Sequence, residues 1–211
     1  MHELAVFADS VAGCTKCRLA EGRTQVVFGS GHPQADLMFV GEAPGFHEDK
    51  QGVPFVGQAG KLLDKLLAGI GLTRSDVFVA NVLKCRPPGN RDPLPDEIQA
   101  CESHLWKQIE LIQPKVVATL GNFATKLLSG RQLGITRVHG QEQETMLGGN
   151  RVVLYPLYHP AAALYTPRML EVLENDFRRL PELLGRAVEP EPVPEPVLQP
   201  PVDAAVQLGL F

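Results

Sequence analysis

ADLMFVGEAPGFHEDKQGVPFVGQAGKLLDKLLAGIG, residues 35–71, decides the architecture of this chain. Its opening residues, ADLMFVGE (35–42), are nearly continuous in apolar character and lack the polar alternation of a sheet that faces water on one side. Such a run predicts a strand covered on both faces. Its closing residues, GKLLDKLLAGIG (60–71), set leucines at the spacing of an amphipathic helix. A strand that leads through a glycine-rich loop into a helix is the unit from which parallel sheets are assembled.

The same alternation continues outward. Further strand-like runs are DVFVANVLK (76–84), KVVATLG (115–121) and RVVLYPLYHP (151–160). Helical patterns follow at PDEIQACESHLWKQIELI (95–112), where Pro95, Asp96 and Glu97 suit a helix start, at NFATKLLSG (122–130), and at PRMLEVLENDFRRLPELL (167–184). Together these predict an α/β fold, a three-layer α/β/α sandwich around a central four-stranded parallel sheet. The segment 134–150, with GITRVHG and MLGGN, predicts a hairpin excursion ahead of the fourth strand.

A chain of 211 residues, 44% hydrophobic and 21% charged, supports one sizeable core. Residues 1–186 form the expected domain. From residue 187 the composition turns to Pro, Glu and Val without periodicity, which predicts a disordered, partly polyproline-like tail over 187–211. The net charge of −4 comes from that tail: Glu189, Glu191, Glu195 and Asp203 are its charged residues, and residues 1–186 hold 20 basic and 20 acidic side chains. A neutral body argues mildly against nucleic acid and requires any DNA contact to come from a local patch. No apolar run reaches the roughly 18 residues of a membrane helix, and His2, Glu3 and Asp9 interrupt the start, so a cytoplasmic protein with no membrane association is expected.

Open parallel sheets bind ligands beyond the carboxyl ends of their strands, where loops diverge and helix N-termini point inward. Those ends deliver Glu42, Asn81, Gly121 with Asn122, and His159. Singly, each has an ordinary reading as a loop cap, a backbone partner or a half-buried histidine; their convergence on one edge favours a site. Phe55, between Pro54 and Val56, reads on position alone as a satellite-core residue or a stacking platform. GEAPG lacks the patterns of loops that bind nucleoside triphosphates or dinucleotides.

The four cysteines, Cys14, Cys17, Cys85 and Cys101, have the spacing C-x2-C-x67-C-x15-C. Disulfides are not expected in a cytosolic chain, and the first pair precedes the first strand, unlike a thioredoxin-type redox site. Four gathered thiolates suit zinc or a 4Fe-4S cluster, and the spacing distinguishes neither. Four unrelated buried thiols are the bland alternative.

CTKCRLAEGRTQVVFGSG, GEAPGFHEDKQGVPFVGQAGKLLDKLL, NVLKCRPPGNRDPLPDEIQAC and YHPAAAL together resemble the family 4 uracil-DNA glycosylases, the iron-sulfur branch of that superfamily, over about residues 10–182. The resemblance implies a 4Fe-4S cluster on Cys14, Cys17, Cys85 and Cys101, and a repair enzyme that turns uracil out of DNA and hydrolyses its N-glycosidic bond to leave an abasic site. It implies that Phe55 stacks on the uracil and that Asn81 reads N3 and O4. His159 donates to O2, Glu42 stabilises the sugar cation or positions water, and Glu48 lies near C5. It further implies that PAAALYTPR enters the minor groove, with Leu164 as wedge and Tyr165 beside it. Arg86 and Arg91 are the candidate phosphate contacts. Phe46 and His47 depart from the family, which often has acidic residues there. CRPPGNRDP carries no inserted basic loop of the kind found in a covalently trapping relative, so hydrolysis is expected. Monomeric action on uracil-containing DNA follows from the same resemblance. The competing reading, a non-enzymatic iron-sulfur DNA-binding or electron-transfer module, explains the cysteines but gives Glu42, Phe55, Asn81 and His159 no shared purpose.

The chain closes on QLGLF. A frayed terminus is the default for such an end. QLGLF also resembles the QLxLF pattern by which bacterial proteins dock on the DNA polymerase sliding clamp, with Gln207 making polar contacts and Leu208, Leu210 and Phe211 filling an apolar groove. The preceding linker of about 20 residues reaches on the order of 60 Å at polyproline rise.

Overall fold

The structure, a computed structural model, describes residues 2–186. The expected tail and its clamp-binding residues Gln207, Leu208, Leu210 and Phe211 lie outside the described residues.

In chain order the elements are α1 (His2–Ala12), α2 (Leu19–Gly22), β1 (Ser30–Gly31), β2 (Leu37–Gly41), α3 (Phe46–Gln51), α4 (Gln58–Ala68) and β3 (Phe78–Asn81). After a 3₁₀ turn at Pro88–Asn90 come α5 (Pro95–Ile112), β4 (Val116–Leu120), α6 (Asn122–Ser129), α7 (Ile135–Val138), β5 (Gln143–Leu147) and β6 (Asn150–Leu157). Helices α8 (Pro160–Ala163), α9 (Pro167–Arg178) and α10 (Leu180–Arg186) complete the fold. The sheet runs β1-β3-β2-β4-β6-β5.

The four expected strands are its parallel centre: β2 pairs in parallel with β3 and β4, and β4 with β6. The sheet is nevertheless six-stranded, because β1 and β5 add antiparallel edges. Both additions have physical reasons for escaping the sequence reading. β1 has only two residues, too few to show a period, and at Gly31 a Cβ would lie 1.9 Å from the Val77 carbonyl oxygen. The hairpin expected within 134–150 ahead of the fourth strand is not an excursion of its own: Ile135–Val138 is the helix α7, and β5 pairs with the fourth strand itself, β6, its alternating exposure being that of an edge strand with one wet face. The single helix expected over 167–184 is broken into α9 and α10 at Arg179. Pro181 has no N–H to donate, and its ring crowds the carbonyl four residues back.

Alternate side chains of the central strands feed two separate cores. Met38 and Val40 of β2 pack with Leu105 and Ile109 of α5 and Leu128 of α6, whereas Leu37 and Phe39 pack with Leu63 and Leu67 of α4 and Phe177 of α9. Strand β2 is buried along its whole length, which is why its sequence shows no polar alternation. From β2 the chain crosses through α4 to β3 on one side, and then through α5 to β4 on the other. Right-handed crossovers in opposite directions put α4 and α5 on opposite faces and open a crevice at the carboxyl end of β2. Register then fixes what borders the crevice, since Gly41 is paired with Asn81 and Leu120 with Leu157. No helix among the described residues is long and apolar enough to cross a membrane.

Candidate active site

The crevice holds a cavity of about 600 Å³ whose walls include Glu42, Glu48, Phe55, Asn81 and His159. All five residues expected around a bound base are therefore brought together. Asn81 ends β3 and is 2% exposed. Its Oδ1 is, among the described residues, the one buried side-chain polar atom without a hydrogen-bond partner. Leaving such an acceptor unpaired costs about 1–3 kcal/mol, so the site is built for a donor that arrives from outside. Gly41 makes the room: a Cβ there would sit 2.4 Å from Asn81 Oδ1 and 2.7 Å from Phe55 Cζ. The Asn81 carbonyl accepts from the buried Lys84 Nζ at 2.7 Å, and Lys84 also donates to Gln108 Oε1. Burial lowers the Lys84 pKa to about 8, against an opposing pull from the nearby Cys101.

Phe55 is buried and adopts a positive φ of 55°, a conformation uncommon for a bulky residue. Three contacts hold the turn in place. Glu48 Oε1 accepts from the backbone N–H groups of Val56 at 3.0 Å and Gly57 at 2.9 Å. Arg74 Nη2 donates to the Phe55 carbonyl at 2.8 Å. Gly60 lies so close beneath the turn that a Cβ would come within 1.7 Å of the Phe55 oxygen. Glu48, expected beside the C5 position of a base, thus also anchors the loop that carries the ring.

His159 caps α8, and its Nδ1 accepts from the Ala161 N–H at 3.1 Å. That bond leaves Nε2 to carry the proton of the neutral ring. Burial lowers the His159 pKa to about 4, although Glu48 opposes the shift. The imidazole is a neutral donor at ordinary pH, and its ring stacks near Phe55 at 5.5 Å between centroids and 27° between planes. Glu42 is half-buried immediately after β2; burial, and then the charge of Asp92, raise its pKa above the ordinary value.

On the far side of Lys84 the four cysteines line one small cavity. Its polar surroundings all favour sulfur anions: the Lys84 backbone N–H reaches Cys101 Sγ at 3.3 Å, Arg23 Nη1 reaches Cys85 Sγ at 3.6 Å, and His104 Nε2 lies 3.3 Å from Cys14 Sγ. Burial pushes the Cys85 thiol up to about 11 and raises that of Cys101, so a cationic centre is needed to hold them as thiolates. Among the described residues no three His, Cys, Asp or Glu side chains stand close enough to hold a metal ion.

The residues expected on DNA are disposed differently from one another. Tyr165 is 89% exposed, while Leu164 at the end of α8 is half-buried. Arg86 donates at 2.6 Å to Oδ1 of Asn90, and Asn90 and Arg91 line the cavity. Arg91 makes a bidentate pair with the fully buried Glu97, at 2.9 and 2.6 Å, and braces the start of α5. Gly41, Gly60, Arg74, Lys84, Arg23 and His104 escaped the sequence reading. Only Gly41 carried a visible signal, a glycine inside an otherwise bulky strand.

A sheet with a parallel centre thus carries, at its switch point, a cavity of about 600 Å³ bordered by a buried amide, an aromatic ring, a neutral histidine and two carboxylates. The model of the uracil-DNA glycosylase superfamily matches residues 28–181. Among proteins similar to the chain are type-4 uracil-DNA glycosylases of Sulfurisphaera tokodaii, 47% identical over 87% of this chain and 86% of that one, and Archaeoglobus fulgidus, 45% identical over 88% and 96%. That of Thermotoga maritima is 42% identical over 84% of this chain and 88% of its own. The chain belongs to the type-4 uracil-DNA glycosylase family.

Proposed function

We propose that the protein removes uracil from DNA in base-excision repair by hydrolysing its N-glycosidic bond. The unpartnered Oδ1 of Asn81, a residue that lines one cavity with Phe55 and His159, is the observation that carries this reading. Uracil supplies what the amide lacks: its N3–H donates to Oδ1, and its O4 accepts from Nδ2. Cytosine presents an unprotonated N3 and an amino group at C4, so both halves of the amide would face like groups. Sites that reject by leaving buried polar groups unpaired discriminate by about 10⁴–10⁵-fold.

Cleavage leaves the bonding electrons on uracil and a cation on the deoxyribose. His159 Nε2–H donates to O2 as that oxygen becomes anionic, and its neutral state means no proton has to leave first. One such donor contributes about 10²–10³-fold to the rate. Glu42, as a carboxylate, stabilises the sugar cation or orients the water whose hydroxyl adds to C1′ and whose proton neutralises the departing base. Glu48 keeps Phe55 in register under the base and crowds the C5 position, against a thymine methyl. Leu164 and Tyr165 enter the vacated stack, with Tyr165 the more exposed of the two. Arg86 contacts phosphate.

Cys14, Cys17, Cys85 and Cys101 would hold a 4Fe-4S cluster. An all-thiolate donor set lining one cavity, with cationic and N–H partners, suits such a cluster, and membership of the type-4 family favours it over zinc. When bound, the cluster supplies a cross-link between the N-terminal segment, the loop after β3 and α5. The QLGLF end would dock the enzyme on the sliding clamp.

Base release from an oligonucleotide with a single uracil tests the central claim. Free uracil and an abasic site are expected. A protein that retards the oligonucleotide and releases nothing would instead be a binding module.

A further inference from the structure

Phe46 opens α3 on the rim of the cavity with 49% of its surface exposed. A single exposed aromatic needs no explanation by itself. This one is flanked by two cations, the Arg86 guanidinium 5.1 Å from the ring centroid and Lys50 Nζ 6.0 Å away, while the His47 ring packs edge-on at 5.5 Å. The bond from Arg86 Nε to Asn90 fixes the guanidinium in that position. An exposed ring beside fixed positive charge has the chemistry of a platform for one nucleobase and its phosphates. A protein partner would need a far larger apolar area than one ring. Position agrees with this, because a strand whose uracil enters the cavity must lay its neighbouring nucleotides across the rim.

We propose that Phe46, with Arg86 and Lys50, forms a shelf that stacks the base next to the extruded uracil on the same strand and binds the adjoining phosphates. The inference rests on the cavity being the uracil site. The shelf takes any base, since every base has a π-face, and it strengthens engagement of single-stranded DNA, where the neighbour is not already paired.

The test removes each partner in turn. Binding is measured for wild type, Phe46→Ala and Phe46→Trp on single strands carrying non-cleavable 2′-fluorodeoxyuridine, flanked by normal bases or by an abasic spacer on the 5′ or the 3′ side. Phe46→Ala is expected to weaken binding to the fully based strand about tenfold. With the spacer on the contacted side it should bind as wild type does, and Phe46→Trp should restore the lost affinity on the based strand. Equal loss on every strand, no loss on any, or no recovery with tryptophan overturns the shelf. Uracil release by the wild type, measured on cleavable strands, reports on the cavity separately, so failure of the shelf and failure of the uracil reading are told apart.

Discussion

Asn81→Ala should destroy uracil release while making the free protein more stable. The unpaired Oδ1 costs the folded state about 1–3 kcal/mol, which the substitution removes. The truncated side chain borders a cavity of about 600 Å³, so water can enter and the packing loss is confined to a few contacts. A net gain of about 1–2 kcal/mol corresponds to a rise in Tm of about 2–8 °C for a domain of this size. The same change deletes both hydrogen bonds proposed to read uracil, and kcat/KM should fall by at least about 10²-fold. Thermal melting without DNA and base release at concentrations well below KM measure the two effects on one preparation. An ordinary buried asparagine, satisfied in the native state, would lose stability on truncation. A fall in Tm, or retention of activity, would therefore refute the idea that the amide is held open for a ligand.

The remaining expectations concern other parts of the same machinery. Glu42 has a raised pKa, so as pH drops it is protonated above the ordinary 4.5, and kcat/KM should decline there; His159, neutral down to about 4, should add a second loss only below that value. Glu42→Gln should lower the rate, remove the first acid limb and, because an ionised carboxylate with a raised pKa destabilises the fold, increase Tm at neutral pH. An unchanged acid limb in Glu42→Gln would refute this assignment. Gly60→Ala places a Cβ in the Phe55 carbonyl, and should cost about 1–3 kcal/mol on melting and raise KM; a neutral effect on both would show the loop to be unconstrained. Cys101→Ala should abolish visible iron-sulfur absorbance and lower Tm, whereas a colourless, zinc-containing wild type would refute the cluster. Deleting residues 207–211 should abolish sliding-clamp binding and leave base release from short oligonucleotides intact; unchanged clamp affinity would refute the tether.

Strand positions and strand ends were legible because burial on both faces writes itself into composition. The run from Leu37 to Gly41 is wholly buried and wholly apolar, and the next residue, Glu42, is where the site begins. Asn81 and His159 follow from the same rule. The supports of the site were not legible, because they act across the fold. Arg74 stands 19 residues from the Phe55 carbonyl it holds, and Lys84 meets Gln108 across 24 residues. Neither position carries a local pattern. Glu48 was found for one role, while its bonds to Val56 and Gly57 depend on a turn geometry that no periodicity reports. Helix α1 and the two-residue strand β1 escaped for the simpler reason that nothing in their sequence was compelling.

The balance of 20 basic and 20 acidic side chains in residues 1–186 raised the question of how such a body holds a polyanion. The structure sharpens it, because several cations serve the scaffold. Arg91 is paired with Glu97, Arg74 holds the Phe55 turn, Arg23 faces the cysteines, and Lys84 is buried against Asn81 and Gln108. Arg86 and Lys50 stand beside the exposed ring of Phe46, which lines the cavity, instead of beside an acid. Affinity that depends on few phosphate contacts falls less steeply with salt, because each contact contributes about 0.9 to the logarithmic slope on duplex DNA. Under the proposed function, such a body would engage DNA mainly through the extruded base and the stacking around it, and the proposed QLGLF tether would supply the local concentration that charge does not.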